Sequence, residues 1–270
     1  MTRTGSPAPA GRVKVEVDRV GLSYYSRRGE TLALEDISFS VDTGEFVSLI
    51  GPSGCGKSTL LSLIAGLSAS STGSIRIDGA KVEGTSASVG YMLQQDYLLE
   101  WRSILDNVLL GAEILGRKRA DVEPYAIELL RTYGLGQFLS HRPAQLSGGM
   151  RQRAALARTM VTRPELILLD EPFSALDSQT RLAMADDMVA ILREAGKTVI
   201  LVTHDIAEAI AMTDRALVLT RRPGRIKSEH RFDWRSQRAD GATPLQIRSL
   251  PEFHAHFGRI WNELDEHTKG

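Results

Sequence analysis

The chain has 270 residues, 42% of them hydrophobic and 24% charged, the balance of an ordinary soluble globular protein with one large domain or a domain plus subdomain. Its 33 Lys and Arg equal its 33 Asp and Glu, so no whole-chain field recruits nucleic acid or acidic lipid. A single cysteine, Cys55, excludes an internal disulfide and a Cys-rich zinc site and reads as an intracellular chain, while no apolar run approaches the ~20 residues that cross a bilayer.

Residues 1–12 are rich in Thr, Ser, Pro, Ala and Gly, lack the apolar core of a secretory signal, and read as a disordered lead-in. Val13, Val15 and Val17 alternate with Lys14, Glu16 and Asp18, the period of a half-buried strand. Residues 37–41 repeat that alternation before the turn chemistry of Asp42-Thr43-Gly44-Glu45. Phe46 to Ile50 is a short, nearly uninterrupted apolar run, which predicts a buried strand. Over residues 57–67, Leu60, Leu61, Ile64 and Leu67 recur at helical spacing. Residues 74–78 and 89–93 are further strand candidates.

Between residues 104 and 133 the pattern turns helical, and Pro124 is read as a first-turn proline rather than a breaker. Strands and helices then alternate: strand 166–170, helix 179–195, strand 199–203, a short helix from Ile206, strand 216–219. Repeated strand–helix units predict an α/β fold with a mainly parallel sheet, the helical middle being an insertion. The last fifty residues carry Arg221, Arg222, Arg225, Lys227, Arg231 and Arg235 against Glu229 and Asp233. That strip is either solvated or set near lipid head groups or an acidic loop of a partner. Residues 247–264 read as a terminal amphipathic helix.

Gly51-Pro52-Ser53-Gly54-Cys55-Gly56-Lys57-Ser58-Thr59 satisfies G-x-x-x-x-G-K-[ST] between a predicted strand and a predicted helix. Glycines let the backbone fold around an anion with its N–H groups inward, and the helix N-terminus adds positive potential. Lys57 would neutralise the β- and γ-phosphates, and the Ser58 hydroxyl would ligate Mg²⁺. At average residue frequencies a chance match in a chain of this length is about one in a hundred. The Cys55 side chain is not needed for phosphate contact.

Leu166-Ile167-Leu168-Leu169 delivers two carboxylates, Asp170 and Glu171, at the strand end where α/β sheets bind ligands. Asp170 suits Mg²⁺, directly or through water, and Glu171 suits orienting or deprotonating an attacking water. His204, after another apolar strand, is read as a γ-phosphate contact on the same sheet edge. Leu146-Ser147-Gly148-Gly149-Met150-Arg151-Gln152-Arg153 opens a helix with Ser147 as N-cap, a second anion site at a helix N-terminus.

In this order GPSGCGKST, Gln94 after a strand, LSGGMRQR, LILLDEP, Ser174-Ala175-Leu176-Asp177 and His204 resemble the ATP-binding cassette (ABC) family, over residues 13–219. The resemblance implies a P-loop NTPase core of mainly parallel sheet with flanking helices, an antiparallel β subdomain and an inserted helical subdomain. The expected division is a core at 13–95 and 164–235, the helical subdomain with the signature at 96–163, and a tail at 236–270. It implies ATP and Mg²⁺ as cofactors, with Ser58, Gln94 and Asp170 about the metal and Glu171, His204, Gln94 and Lys57 catalytic. It implies a head-to-tail dimer in which each ATP lies between one phosphate loop and the Ser147, Gly148 and Gly149 of a second copy, with Asp177 communicating across it. Tyr24 would stack on adenine, with adjacent Tyr25 as the alternative.

In transporters such a cassette drives membrane permease subunits through a groove beside the loop at residues 94–107, here carrying Tyr97, Leu98, Leu99 and Trp101. These either dock a permease helix or pack the insertion on the core. The Trp after Leu-Leu resembles the nitrate, sulfonate and taurine importers and those for thiamine precursors, which carry Pro where Glu100 stands and differ at Gln95. The implied system has an extracytoplasmic solute-binding protein, no nucleic acid, and a cassette held peripherally on the cytoplasmic face of the membrane. An exporter or lipid-extraction cassette would share every motif. DNA-repair cassettes need long coiled coils, ribosomal ones two phosphate loops, and a non-hydrolysing regulator conflicts with Glu171.

Overall fold

The computed structural model describes residues 12–26 and 29–265; the lead-in expected at residues 1–12 lies outside them apart from Arg12. Strand β1 (Val13–Ser26) and strand β2 (Gly29–Asp42) pair antiparallel, followed by β3 (Phe46–Ile50) and helix α1 (Lys57–Ile64). Next come β4 (Thr72–Ile77), β5 (Ala80–Lys81), β6 (Val89–Met92), α2 (Ile104–Ile114) and α3 (Arg119–Thr132). A 3₁₀ turn (Pro143–Gln145) leads into α4 (Gly148–Met160), β7 (Leu166–Asp170), α5 (Ser178–Glu194), β8 (Thr198–Val202), α6 (Ile206–Met212) and β9 (Arg215–Leu219). The chain ends in β10 (Ile226–Arg231), α7 (Arg235–Ala239), α8 (Pro244–Ile247) and α9 (Pro251–Asp265).

Two sheets form. One is four-stranded and antiparallel, in the order β2-β1-β4-β5; the other is six-stranded, in the order β10-β9-β3-β8-β7-β6. In the second, β9, β3, β8, β7 and β6 run parallel and β10 closes the edge antiparallel. Strands β3, β7, β8 and β9 are buried at every position because both sheet faces are covered, which is why they read as apolar runs without alternation. Ile167 and Leu169 face a core shared with α2, α3, α4 and α5, while Leu166 and Leu168 face one shared with α1 and the antiparallel sheet. The expected α/β architecture with its helical insertion is therefore present. The parallel strands point their C-terminal ends the same way, so the residues after β3, β6, β7 and β8 gather on one edge.

Three expectations need correction. Pro124 is the sixth residue of α3, not in its first turn; α3 starts earlier than the apolar periodicity indicates, because exposed Arg119, Ala120 and Asp121 form its first turn. The terminal helix expected over 247–264 is present as α9 but starts four residues later, at Pro251, whose ring cannot continue a preceding helix, and the separate short α8 with its Thr243 capping box ends at Ile247. The basic tail is not wholly a solvated strip: residues 226–231 are the edge strand β10, and Phe232, Trp234, Ile247, Phe253 and Ile260 are buried against α6. The Trp234 indole N–H donates to the Ile210 carbonyl at 2.9 Å, so even that polar group is satisfied inside this third core.

Candidate active site

The phosphate loop turns from β3 into α1 through Gly54 at φ +74° and Gly56 at φ +104°. A side chain at Gly56 would also strike Leu34 Cδ2 at 2.6 Å, so both conformation and space demand glycine there. The Lys57 ammonium, almost fully buried, donates to the carbonyls of Gly51 at 2.7 Å and Pro52 at 3.0 Å, arching over the loop it belongs to. Cys55 is buried, its side chain packed into the core beneath the loop, and burial raises its thiol pKa. It supplies backbone and packing to the cradle.

Asp170 ends β7 opposite Val202 of β8. It accepts from Ser58 Oγ at 2.9 Å and from the Tyr91 hydroxyl at 3.2 Å. Burial, partly opposed by these two hydrogen bonds, raises the Asp170 carboxyl above its ordinary value. The same burial, reinforced by the neighbouring Asp170 charge, pushes the Tyr91 phenol up to about 12, so it stays a donor at neutral pH. Glu171 follows at φ +46°, a left-handed conformation costing a non-glycine residue ~1–2 kcal/mol. Its backbone N–H still donates to the Val202 carbonyl at 2.9 Å, so the strand ladder anchors the strained residue.

Around the Glu171 carboxylate stand two groups from other strands. Gln94, just beyond β6, donates from Nε2 to Glu171 Oε2 at 3.4 Å and to Ser174 Oγ at 3.2 Å. His204, beyond β8, has Nδ1 at 3.2 Å from the same Glu171 oxygen. Tyr24, Ser53, Gly54, Gly56, Lys57, Ser58, Thr59, Gln94 and Glu171 line one cleft of about 330 Å³, together with Ala33 and Arg222. The Tyr24 hydroxyl lies 3.4 Å from Thr59 Oγ1, whereas Tyr25 bonds Glu30 instead, so of the two tyrosines only Tyr24 faces this cleft.

The signature lies elsewhere on the chain. Ser147 caps α4, accepting from the Met150 N–H at 3.4 Å, and with Gly149 it lines a separate cavity of about 290 Å³ beside Gln179 and Thr180. Gly148 is exposed at the first turn of the helix. Asp177 caps α5, its Oδ1 accepting from the N–H groups of Gln179 at 3.1 Å and Thr180 at 3.0 Å, and these bonds lower its pKa. Within one chain, then, Ser147, Gly149 and Asp177 are not among the groups lining the phosphate-loop cleft.

Two side chains outside the motifs take part, Tyr91 as a hydrogen-bond partner of Asp170 and Arg222 as a wall of the cleft, and Ser174, which lies within a motif without a role assigned to it there, accepts from Gln94. Tyr91 is legible only as a strand residue one before the end of β6; Arg222 is hidden in a run of basic residues. The cleft fits a magnesium–nucleotide pair by the chemistry of its donors. A hydroxyl and one carboxylate, Ser58 and Asp170, sit 2.9 Å apart. Among the described residues no group of three His, Cys, Asp or Glu could hold a metal, so a cation here would complete its shell with water or bound phosphate oxygens.

Residues 34–174 match the ABC transporter family. The ABC transporter ATP-binding protein YtlC of Bacillus subtilis (strain 168) is 45% identical over 255 residues, covering 94% of this chain and 97% of that one. The taurine import ATP-binding protein TauB of Rhizobium johnstonii is 42% identical over 240 residues, covering 88% and 92%. Among solved structures, the ATP-binding cassette MJ0796, determined as a dimer bound to ADP and Pi, superposes with a TM-score of 0.70 at 32% identity, over 80% of this chain and 98% of that one. The chain belongs to the ABC transporter family and is an ATPase subunit of a transporter. No helix among the described residues is long and apolar enough to cross a membrane.

Proposed function

We propose that this subunit powers uptake of a small organic anion, of the sulfonate and taurine kind, by closing on a second copy of itself around two ATP molecules. The observation that carries the hydrolytic half is the setting of Glu171: a carboxylate in the wall of the phosphate-loop cleft, steadied by Gln94 at 3.4 Å and His204 at 3.2 Å. In this reading Lys57 leaves its own loop carbonyls for the β- and γ-phosphates, and Ser58, Asp170 and Gln94 would hold Mg²⁺, which when bound would offset charge on the transferred phosphoryl group. Glu171 takes the proton of the attacking water, and His204 turns a ring N–H to the γ-phosphate. Tyr24 stacks on the adenine.

Ser147, Gly148 and Gly149 form an anion site at the N-terminus of α4, apart from the cleft, and a second copy set head to tail would bring that site onto the phosphates. The MJ0796 dimer supports this arrangement, and the taurine-import proteins support the direction of transport and the class of solute. An extracytoplasmic solute-binding protein would deliver the solute, and the cassette would sit on the cytoplasmic face of its permease. The outer arch of the glutamine loop is the permease contact: Trp101 is 71% exposed and Tyr97 59%, while Leu98 between them is buried. The two readings of this segment therefore divide by residue, Leu98 packing the core and the aromatics left for a partner.

The test is Glu171→Gln. It should bind Mg-ATP with near-native affinity while turnover falls by about 10²- to 10⁴-fold; normal turnover would remove Glu171 from the role of base. Trp101→Ala should melt as wild type does, since the side chain is mostly solvated, and should recover less permease on co-purification; full recovery would take Trp101 out of the contact.

A further inference from the structure

The β9–β10 connection is built as a strut beneath the phosphate loop. Thr220 N–H donates to the Arg225 carbonyl at 2.9 Å, and Thr220 Oγ1 donates to the Pro223 carbonyl at 3.0 Å, closing a tight turn. The turn is tied to β2: Gly224 N–H donates to Ala33 at 2.9 Å and Glu35 N–H donates to Gly224 at 3.0 Å. Gly224 is so close beneath the loop that a Cβ there would lie 2.2 Å from the Cys55 carbonyl oxygen. Arg222, at the crest of this turn, is exposed and lines the same cleft as Ser53, Gly54 and Lys57.

Arg222 is set apart by where its charge lies. Two neighbours in the basic strip are matched, Arg225 to Glu35 at 2.6 Å and Arg231 to Glu229 at 2.9 Å, while Arg221, without an ion-pair partner among the described residues, does not line the cleft. Among the described residues no carboxylate lies within ion-pair distance of Arg222; its one bond is a donation to the Gly54 carbonyl at 3.3 Å. A guanidinium carries five N–H donors in a planar fork and is never neutral in water, so four donors and the whole charge remain uncommitted beside an anion cradle. Resting on the P-loop carbonyl aims the fork, and the strut fixes the backbone that carries it.

We propose that Arg222 is a nucleotide-binding residue, a second cation after Lys57 that donates to the phosphate chain seated on the loop. The inference rests on the nucleotide reading of the cleft and adds to it a residue outside all the motifs. Its charge-assisted hydrogen bond strengthens polyphosphate binding and adds nothing to nucleoside recognition.

Three proteins decide it: wild type, Arg222→Gln and Arg222→Lys, with Mg-ATP and inorganic tripolyphosphate titrated against each and the ligand-free melting temperature recorded. Gln keeps a donor for the Gly54 carbonyl and removes the charge; Lys keeps the charge. The expected result is a drop of roughly 10- to 100-fold in affinity for both ligands in Arg222→Gln, substantial recovery in Arg222→Lys, and unchanged melting of the ligand-free proteins. Unchanged affinity in Arg222→Gln overturns the proposal. So does a loss for ATP without one for tripolyphosphate, which would make the contact a nucleoside one, and so does equal loss in both variants with lowered melting, which would make Arg222 only part of the strut. A wild-type chain that binds neither ligand would instead refute the nucleotide reading of the cleft itself.

Discussion

Asp170 shows how a residue suited to binding a cation works against the fold that holds it. Burial raises its carboxyl above the ordinary aspartate value, outweighing the bonds from Ser58 and Tyr91. The folded chain therefore keeps this proton to a higher pH than the unfolded chain does. The stability associated with Asp170 is complete below the ordinary aspartate range and is lost as pH rises through the folded value. Asp170→Asn removes that loss while leaving an oxygen to accept from Ser58. Its melting temperature, measured without ligand, should exceed wild type at neutral pH, with the gap closing on acidification, while Mg²⁺-dependent ATP binding weakens by roughly 10- to 100-fold. A gap that widens on acidification would contradict the assignment of burial as the dominant cause. At this scale the sequence was most legible where chemistry narrows the choice of residue: Gly56, Lys57, Ser58, Asp170 and Glu171 all stand where the motif places them. Arg222 and Tyr91 were not legible, because an arginine among arginines and a tyrosine in a strand carry no pattern until the chain brings them beside Gly54 and Asp170.

At the scale of elements, the signature helix α4 and the glutamine loop are locked together. Arg151 donates to the Asp96 carboxylate at 3.0 and 3.3 Å, and Arg158 donates to the carbonyls of Tyr97, at 2.8 Å, and Asp96. Buried Asn107 closes the arch from within, accepting from the Leu99 N–H at 2.7 Å and donating to the carbonyls of Leu99, Arg102 and Ser103. A shift at Gln94 is thus shared with the segment bearing Trp101 and with the signature. Asp96→Asn keeps one acceptor oxygen but removes the charge and the second acceptor facing Arg151, and should leave ATP affinity unchanged while lowering transport per ATP hydrolysed in the assembled system; unchanged coupling would argue against this link. Helix α3 gives a separate check on packing. Pro124 is exposed in its interior and offers no N–H to the Ala120 carbonyl, so Pro124→Ala should raise the melting temperature by a few degrees, Pro costing about 3 kcal/mol against Ala in a helix interior. A fall would mean that the ring supplies packing the helix needs. The boundary of α3 escaped sequence reading because its exposed first turn carries no large apolar side chain before Val122, and the strand β10 because its residues read first as a charge run.

In the proposed head-to-tail pair, one chain holds half of each ATP site. The phosphate-loop cleft is lined by Lys57, Gln94 and Glu171, and Ser147 and Gly149 line a different cavity. The order of motifs along the sequence made the family legible, since a parallel sheet collects the ends of β3, β6, β7 and β8 at one edge whatever their separation in the chain. It could not show which motif would stand apart from that edge, because the spacing of Ser147 from Lys57 in sequence says nothing of distance in space. The decisive measurement is the molecular mass in solution of Glu171→Gln with Mg-ATP, alone and combined with Ser147→Asp. Aspartate keeps the helix cap on α4 but sets a carboxylate where the second copy would meet phosphate. Head-to-tail pairing predicts a dimer for Glu171→Gln and a monomer for the double variant that still binds ATP through its own phosphate loop. A double variant that still dimerises with ATP, or a Glu171→Gln protein that stays monomeric when saturated, would contradict it.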